Sequence, residues 1–155
     1  MPKFITFAVA EKGLLTKEGT VSLIILLQQV DVRIQADIDS QGLPKNAVAP
    51  INWCAYSLWQ QEAGDEGVEF TKSLQILWPD KSEFMRHHMK FKFTEKKNHN
   101  VLMNISGFPV GQTGPVTINM WLETQSQRVS ATLSWTVEVT HKPPNEPKQE
   151  TSSVN

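Results

Sequence analysis

Apolar and polar residues alternate with a period of two along most of this chain. The clearest run is "RVSATLSWTVEVT", in which Val129, Ala131, Leu133, Trp135, Val137 and Val139 share one face. Arg128, Ser130, Thr132, Ser134, Thr136, Glu138 and Thr140 share the other. Successive side chains of a strand point to opposite faces, so this pattern predicts a half-buried β-strand. "GVEFTKSLQILW" repeats it with Val68, Phe70, Leu74, Ile76 and Trp78 on one face, interrupted only by Lys72. "VLMNISG" aligns Val101, Met103 and Ile105, and "VTINMWLE" aligns Val116, Ile118, Met120 and Leu122. "KFITFAVA" and "GTVSLIILL" read as two strands joined through Gly13 and Gly19. "INWCAYSLWQQ" is apolar on both faces, as a central strand covered on both sides would be.

Turn residues punctuate these runs at "DSQGLPKN", "EAGDEG", "WPDKS" and "GFPVGQTGP". About eight or nine short strands at such spacing predict an all-β protein. We expect a single antiparallel β-sandwich, immunoglobulin-like or similar, over residues 1–140. Residues 141–155, rich in Pro and polar side chains, have little to bury and are expected to form a disordered tail. "LLQQVDVRIQADI" fits either a strand extension or a short helix.

Composition narrows the function classes. The chain has 155 residues, 39% of them apolar, which suits one domain with a real core. Fifteen Lys and Arg balance sixteen Asp and Glu, so nothing global points to nucleic acid or an anionic membrane. The single cysteine, Cys54, cannot form an intramolecular disulfide. The N-terminal residues lack a signal-peptide pattern, and "VSLIILL" is far too short to span a bilayer as a helix. A soluble, cytoplasmic protein is the expectation.

Candidate chemistry starts with "EFMRHHMKFKF". On a strand, Met85, His87, Met89, Phe91 and Phe93 share one face, and Arg86, His88, Lys90 and Lys92 the other. The adjacent histidines then point apart and do not chelate one ion together. His87 reads as a histidine at the edge of the core with a satisfied hydrogen bond. No HExxH, CxxC, GxSxG or phosphate-loop motif is present, and no metal or cofactor is expected. Residues 81–97 carry a net charge of +4 against −5 for the rest of the chain. Arg86, His88, Lys90 and Lys92 are therefore candidate partner-binding residues, or else a solvated strand face. Trp121, flanked on its face by Thr117, Asn119 and Glu123, is a candidate stacking anchor, or else a covered Trp. Glu62, Asp65 and Glu66 read as a solvated turn, and Cys54 as a small inert hydrophobe.

The segment "FAVAEKGLLTKEGTVSLIILLQQVDV" resembles the opening of a family of small bacterial proteins of unknown function. The resemblance rests on Phe7, Ala10, Glu11, Gly19, Ser22, Leu23 and Ile24. "ISGFPVGQTGPVTINMWLE" and "ATLSWTVEV" look like the later hairpin and closing strand of that family. Ile25 stands where a Gly is usual, Val116 where an aromatic is common, and "QADIDSQGLPKNAVAP" looks like an insertion. The resemblance implies a compact bacterial β-sandwich and supplies no activity. The functional expectation is a non-enzymatic binding or assembly module with a protein partner or a homo-oligomeric state. A carbohydrate- or small-ligand-binding sandwich and an enzyme without a recognisable motif are the alternatives.

Overall fold

The computed structural model describes residues 1–34, 42–125 and 127–143. Nine strands follow in order: β1 (Lys3–Leu15), β2 (Val21–Leu26), β3 (Gln29–Arg33), β4 (Val48–Gln60), β5 (Glu69–Leu77), β6 (Glu83–Lys92), β7 (Asn98–Pro109), β8 (Gly114–Glu123) and β9 (Leu133–Lys142). They form two packed sheets. One has four strands in the order β2-β1-β4-β7, the other five in the order β3-β9-β8-β5-β6. Among the described residues, no helix is long and apolar enough to cross a membrane.

The inward faces follow the alternation. Val116, Ile118, Met120 and Leu122 of β8, and Val137 and Val139 of β9, are fully buried. They meet Val9, Trp53, Ala55 and Trp59 of the four-stranded sheet in one apolar core. Phe70, Phe91 and Phe93 close one end of that core, their rings tilted or edge-on to one another. Such contacts are favoured by the aromatic quadrupole.

Three features depart from the expectation. First, the apolar run "GTVSLIILL" forms the expected strand, β2, but "QQVDVR" does not extend it. The chain leaves the four-stranded sheet after Leu26 and enters the other as β3. Leu27 makes the crossing: its N–H donates to Val9 O at 2.9 Å, and its carbonyl accepts from Trp135 Nε1 at 2.7 Å. Second, β3 pairs with β9 in parallel, so the sandwich is not wholly antiparallel. This resolves the ambiguous "LLQQVDVRIQADI" as a strand over Gln29–Arg33; its residues from 35 lie outside the described part. Third, β9 begins at Leu133, not at Arg128. Ser130 Oγ accepts the Leu122 N–H at 2.7 Å, while the N–H groups of Val129 and Ser130 both donate to Leu122 O. This local bulge breaks the ladder ahead of the strand. At its other end β9 runs to Lys142, so His141 and Lys142 belong to the sheet and not to a tail. Residues 144–155 lie outside the described part.

The N-terminal hairpin explains why β4 is covered twice. β1 pairs with β4 only from Lys3 to Ala10, and from Ala10 onward it pairs with β2. Beyond Ala10 it crosses the outer face of the four-stranded sheet. A Cβ on Gly13 would stand 2.6 Å from Leu102 Cδ1 and 3.0 Å from Cys54 Sγ, so glycine permits this close approach. The crossing buries Cys54 and Tyr56, which point away from the core.

Candidate functional site: a lysine-lined cleft

The hairpin turn and the β6–β7 loop face each other across the outer side of β4. Between them lies a cleft of about 750 Å³. Its floor is Tyr56, Leu58 and the start of β7, and Lys17, Lys92, Lys96 and Lys97 rim it, with Glu18 as the one acid. Both walls are tied down. In the turn, Gly19 N–H donates to Thr16 O at 3.0 Å and Thr20 N–H to Thr16 Oγ1 at 3.1 Å. Gly19 has φ 85°, the left-handed conformation that favours glycine. Asn100 Nδ2 donates to Gly19 O at 2.8 Å and fastens the turn to β7. Opposite, Gln61 N–H donates to Lys97 O at 2.7 Å and fastens the loop to the end of β4.

Two lining residues keep polar atoms that are buried without a partner among the described residues: His99 Nε2 and Asn100 Oδ1. The His99 ring stacks on Phe91 with centroids 3.6 Å apart and planes 5° from parallel. Burial, and then repulsion from Lys72, pull its pKa down to about 4, so the ring is neutral at pH 7. Burial likewise pushes the Tyr56 phenol up. Lys72 itself lies in the core at 1% exposure, and its ammonium donates to Ser57 Oγ at 3.2 Å. Desolvation lowers it to about 8. The cleft therefore combines four flexible cations, neutral hydrogen-bonding groups and an aromatic floor.

None of Lys17, Lys92, Lys96 and Lys97 forms a salt bridge among the described residues. The rest of the expected basic stripe differs. Arg86 pairs with Glu83 at 2.6 Å, Lys90 with Glu69 at 3.0 Å, and His88 Nδ1 is hydrogen-bonded to Ser73 Oγ at 2.8 Å. The carboxyls of Glu69 and Glu83 are held below their usual range mainly by hydrogen bonds, to Lys90 and to Gln75 and Arg86 respectively. Arg86, His88 and Lys90 thus sit in a neutralised polar network on the outer face of the five-stranded sheet. Only Lys92 of the four stripe residues reaches the cleft.

Trp121 lies on that same network face but is 4% exposed. The guanidinium of Arg128 covers its ring at 4.6 Å and that of Arg86 at 5.6 Å, while its Nε1 donates to Glu123 at 3.1 Å. The ring is held by cations of this chain and is not open for stacking. His87 faces the gap between the sheets. It is exposed, and among the described residues its ring makes no hydrogen bond, unlike the satisfied histidine expected. His141 Nε2 is hydrogen-bonded to Val110 O. The Cys54 thiol donates to Ala10 O at 3.4 Å, and burial raises its pKa, which disfavours the thiolate. Asp65 is not a solvated turn carboxylate: it is 4% exposed and accepts the Glu62 N–H at 2.9 Å. Among the described residues, no three His, Cys, Asp or Glu side chains gather where they would hold an ion.

Sequence reasoning missed the cleft. Its one signal is the excess of lysine over residues 81–97, and strand alternation puts that charge on the strand face rather than in the loop. No protein-family model matches the chain, and no curated protein matches it.

Proposed function

We propose that this chain is a non-enzymatic binding module and that the lysine-lined cleft receives an anionic group, phosphate or carboxylate, of its ligand. The observation that carries the reading is four lysines around one concave site, none of them in a salt bridge among the described residues. By contrast, Arg86, Lys90 and Lys142 each pair with a carboxylate. Lysine is a mobile point charge suited to phosphate and carboxylate, and a concave low-dielectric wall strengthens its field. Asn100 and His99 lie beneath the cleft and shape its floor beside the lysines.

The test is an NMR titration at low ionic strength with two probes, inorganic pyrophosphate and a hexaglutamate peptide. Amide shifts are expected at Lys17–Gly19 and Lys96–Asn100. Binding should weaken as salt rises and fall about tenfold or more in Lys96→Glu/Lys97→Glu, since each reversed contact is worth roughly 1 kcal/mol. Saturable shifts confined to other surfaces, or none with either probe, would overturn the reading.

A second reading, self-assembly, is favoured by the outer surface of the same hairpin. Leu14, Leu15, Ile24, Ile25 and Leu26 are 44–63% exposed there, and β2 is an edge strand. An exposed apolar edge is a template for pairing with another strand. Light scattering on the purified chain separates the cases: a multiple of the chain mass that Ile24→Lys returns to a monomer supports assembly. The finer architectural reading, an immunoglobulin-like sandwich, is supported by the first-half strand that switches sheets and runs parallel to the last strand. A bacterial setting is part of the proposal through the resemblance of the N-terminal segment, and a cytoplasmic one through the single cysteine, which fits a reducing compartment.

A further inference from the structure

The two sheets end on the same flank in β6 and β7, which are not hydrogen-bonded to each other. A cavity of about 430 Å³ opens between them. Met85, His87 and Met89 enter it from β6, Met103 and Ile105 from β7, and Leu74 stands behind. Three of the five methionines and one of the four histidines thus share one small site, which Asn104 and Ser106 also line.

We propose that this seam is a binding site for a soft monovalent metal ion, copper(I), with the thioethers of Met85, Met89 and Met103 and the imidazole of His87 as ligands. Thioether sulfur and imidazole are the donor types that suit copper(I), whereas calcium and magnesium require oxygen ligands. Among the described residues, no carboxylate or thiol lines the cavity. Neutral donors suit an ion of single charge better than one of double charge, because burying it costs less. The spacing is workable. Met85, His87 and Met89 alternate on one face of β6, about 7 Å apart at each step. Three rotatable bonds let each flanking Met lean toward His87 while Met103 approaches from the facing strand. His87 has no competing hydrogen bond among the described residues, so its ring is available as a ligand. Leu74 sits directly opposite His87 in the β5–β6 ladder and gives the site an apolar wall. The proposal does not depend on the lysine cleft.

The experiment is an anaerobic competition in which the full chain withdraws copper(I) from its coloured bicinchoninate complex. It is paired with silver(I) titration followed through the methionine ε-methyl signals. One equivalent of copper(I) is expected to transfer. The ε-methyls of Met85, Met89 and Met103 should shift, while exposed Met1 and core Met120 serve as internal controls and stay in place. Met89→Leu and Met103→Leu conserve volume and keep the fold, and each should lower affinity about tenfold or more. Cys54→Ser should bind as the parent does. No transfer, transfer that survives Met85→Leu/Met89→Leu/Met103→Leu, or transfer lost in Cys54→Ser would overturn the proposal.

Discussion

Replacing Lys72 by Met should make this protein more stable at neutral pH. Lys72 is 1% exposed, lies among Phe70, Leu74 and Ile76 on the inward face of β5, and has Ser57 Oγ as its hydrogen-bond acceptor. A hydroxyl does not neutralise a buried ammonium, and desolvation draws the group down to about 8 from an ordinary 10.5. At about 1.4 kcal/mol per pH unit, that difference costs the folded state about 3 kcal/mol wherever both states are charged. The sign follows from proton counting. Below pH 8 folded and unfolded chains both hold the proton, and the penalty is complete. Between 8 and 10.5 the unfolded chain binds more protons, so stability rises with pH until the penalty is gone. Met has a similar length and no charge, but it leaves Ser57 Oγ without a partner, at a cost of about 1 kcal/mol. The net gain is about 2 kcal/mol at pH 7, or roughly 4–8 °C in Tm for a chain of this size. Lys72→Met/Ser57→Ala should recover the rest. Urea unfolding of parent and variant, measured every half unit from pH 7 to 10.5, checks this. The variant's advantage should fall by about 3 kcal/mol across that window, passing through zero to about 1 kcal/mol in the parent's favour, and other titrating groups cancel in it. A constant difference, or a variant less stable at pH 7, would refute the claim that Lys72 is charged and poorly compensated.

Other expectations can be checked as directly. Ile25 is 62% exposed and has φ 58°, a conformation costing an L-residue about 1–2 kcal/mol. After the entropy lost by glycine, Ile25→Gly should stabilise the fold by about 0.5–1 kcal/mol in chemical denaturation; a loss of stability would show that Ile25 makes contacts worth more than its strain. His99, held neutral down to about 4, should show no imidazole NMR titration near 6.5. Its unfolded form gains a proton first as pH falls, so stability should decline from pH 6.5 toward 4, and His99→Phe should flatten that part of the profile. Gly13→Ala should destabilise by about 1–3 kcal/mol, because the new methyl pushes Leu102 off the hairpin; an unchanged Tm would mean that the arm lifts freely. Cys54 should resist alkylation at pH 7.5 in the folded state and react at once in urea.

The inward faces of β5, β6, β8 and β9 were legible in the sequence because each strand carries mostly apolar residues on one side and mostly polar ones on the other, and alternation reports that asymmetry directly. The break at Leu27 was not. "VSLIILL" carries no glycine or proline, and the change of sheet is imposed by Val9 and Trp135, residues distant in sequence that hold Leu27 between them. Trp121 shows a similar limit. Its polar neighbours were visible, but its burial comes from Arg86 and Arg128, which reach over it from other parts of the chain. Lys72 stood out as the single polar residue on an apolar face. Its meaning required Ser57, which belongs to the other sheet. The cleft had no periodic signal at all, because turns and loops supply its rim and the spacing of such residues says nothing about which ones meet.

The buried polar groups are not spread evenly through the sandwich. Ser57 and Trp59 on β4, Lys72 on β5, and His99 and Asn100 on β7 all belong to the end of the molecule where the β6–β7 loop turns. There Trp59 Nε1, His99 Nε2 and Asn100 Oδ1 are buried without partners among the described residues, and Lys72 is poorly compensated. At the opposite end, Trp53 Nε1 donates to Gly107 O at 2.9 Å, and Phe108, Val116, Ile118 and Ile76 are fully buried apolar side chains. A sequence under selection for stability alone has no reason to concentrate unsatisfied groups at one end, since each costs about 1–3 kcal/mol. Departures from local consistency gather where function requires them. The lysine-rimmed cleft opens at that same end and shares His99 and Asn100 with it. The stability lost at these residues and the binding capacity of the cleft are therefore expected to trade against each other: variants that stabilise the protein at Lys72 or His99 should weaken its hold on an anionic ligand, while Ile25→Gly, which touches neither, should not.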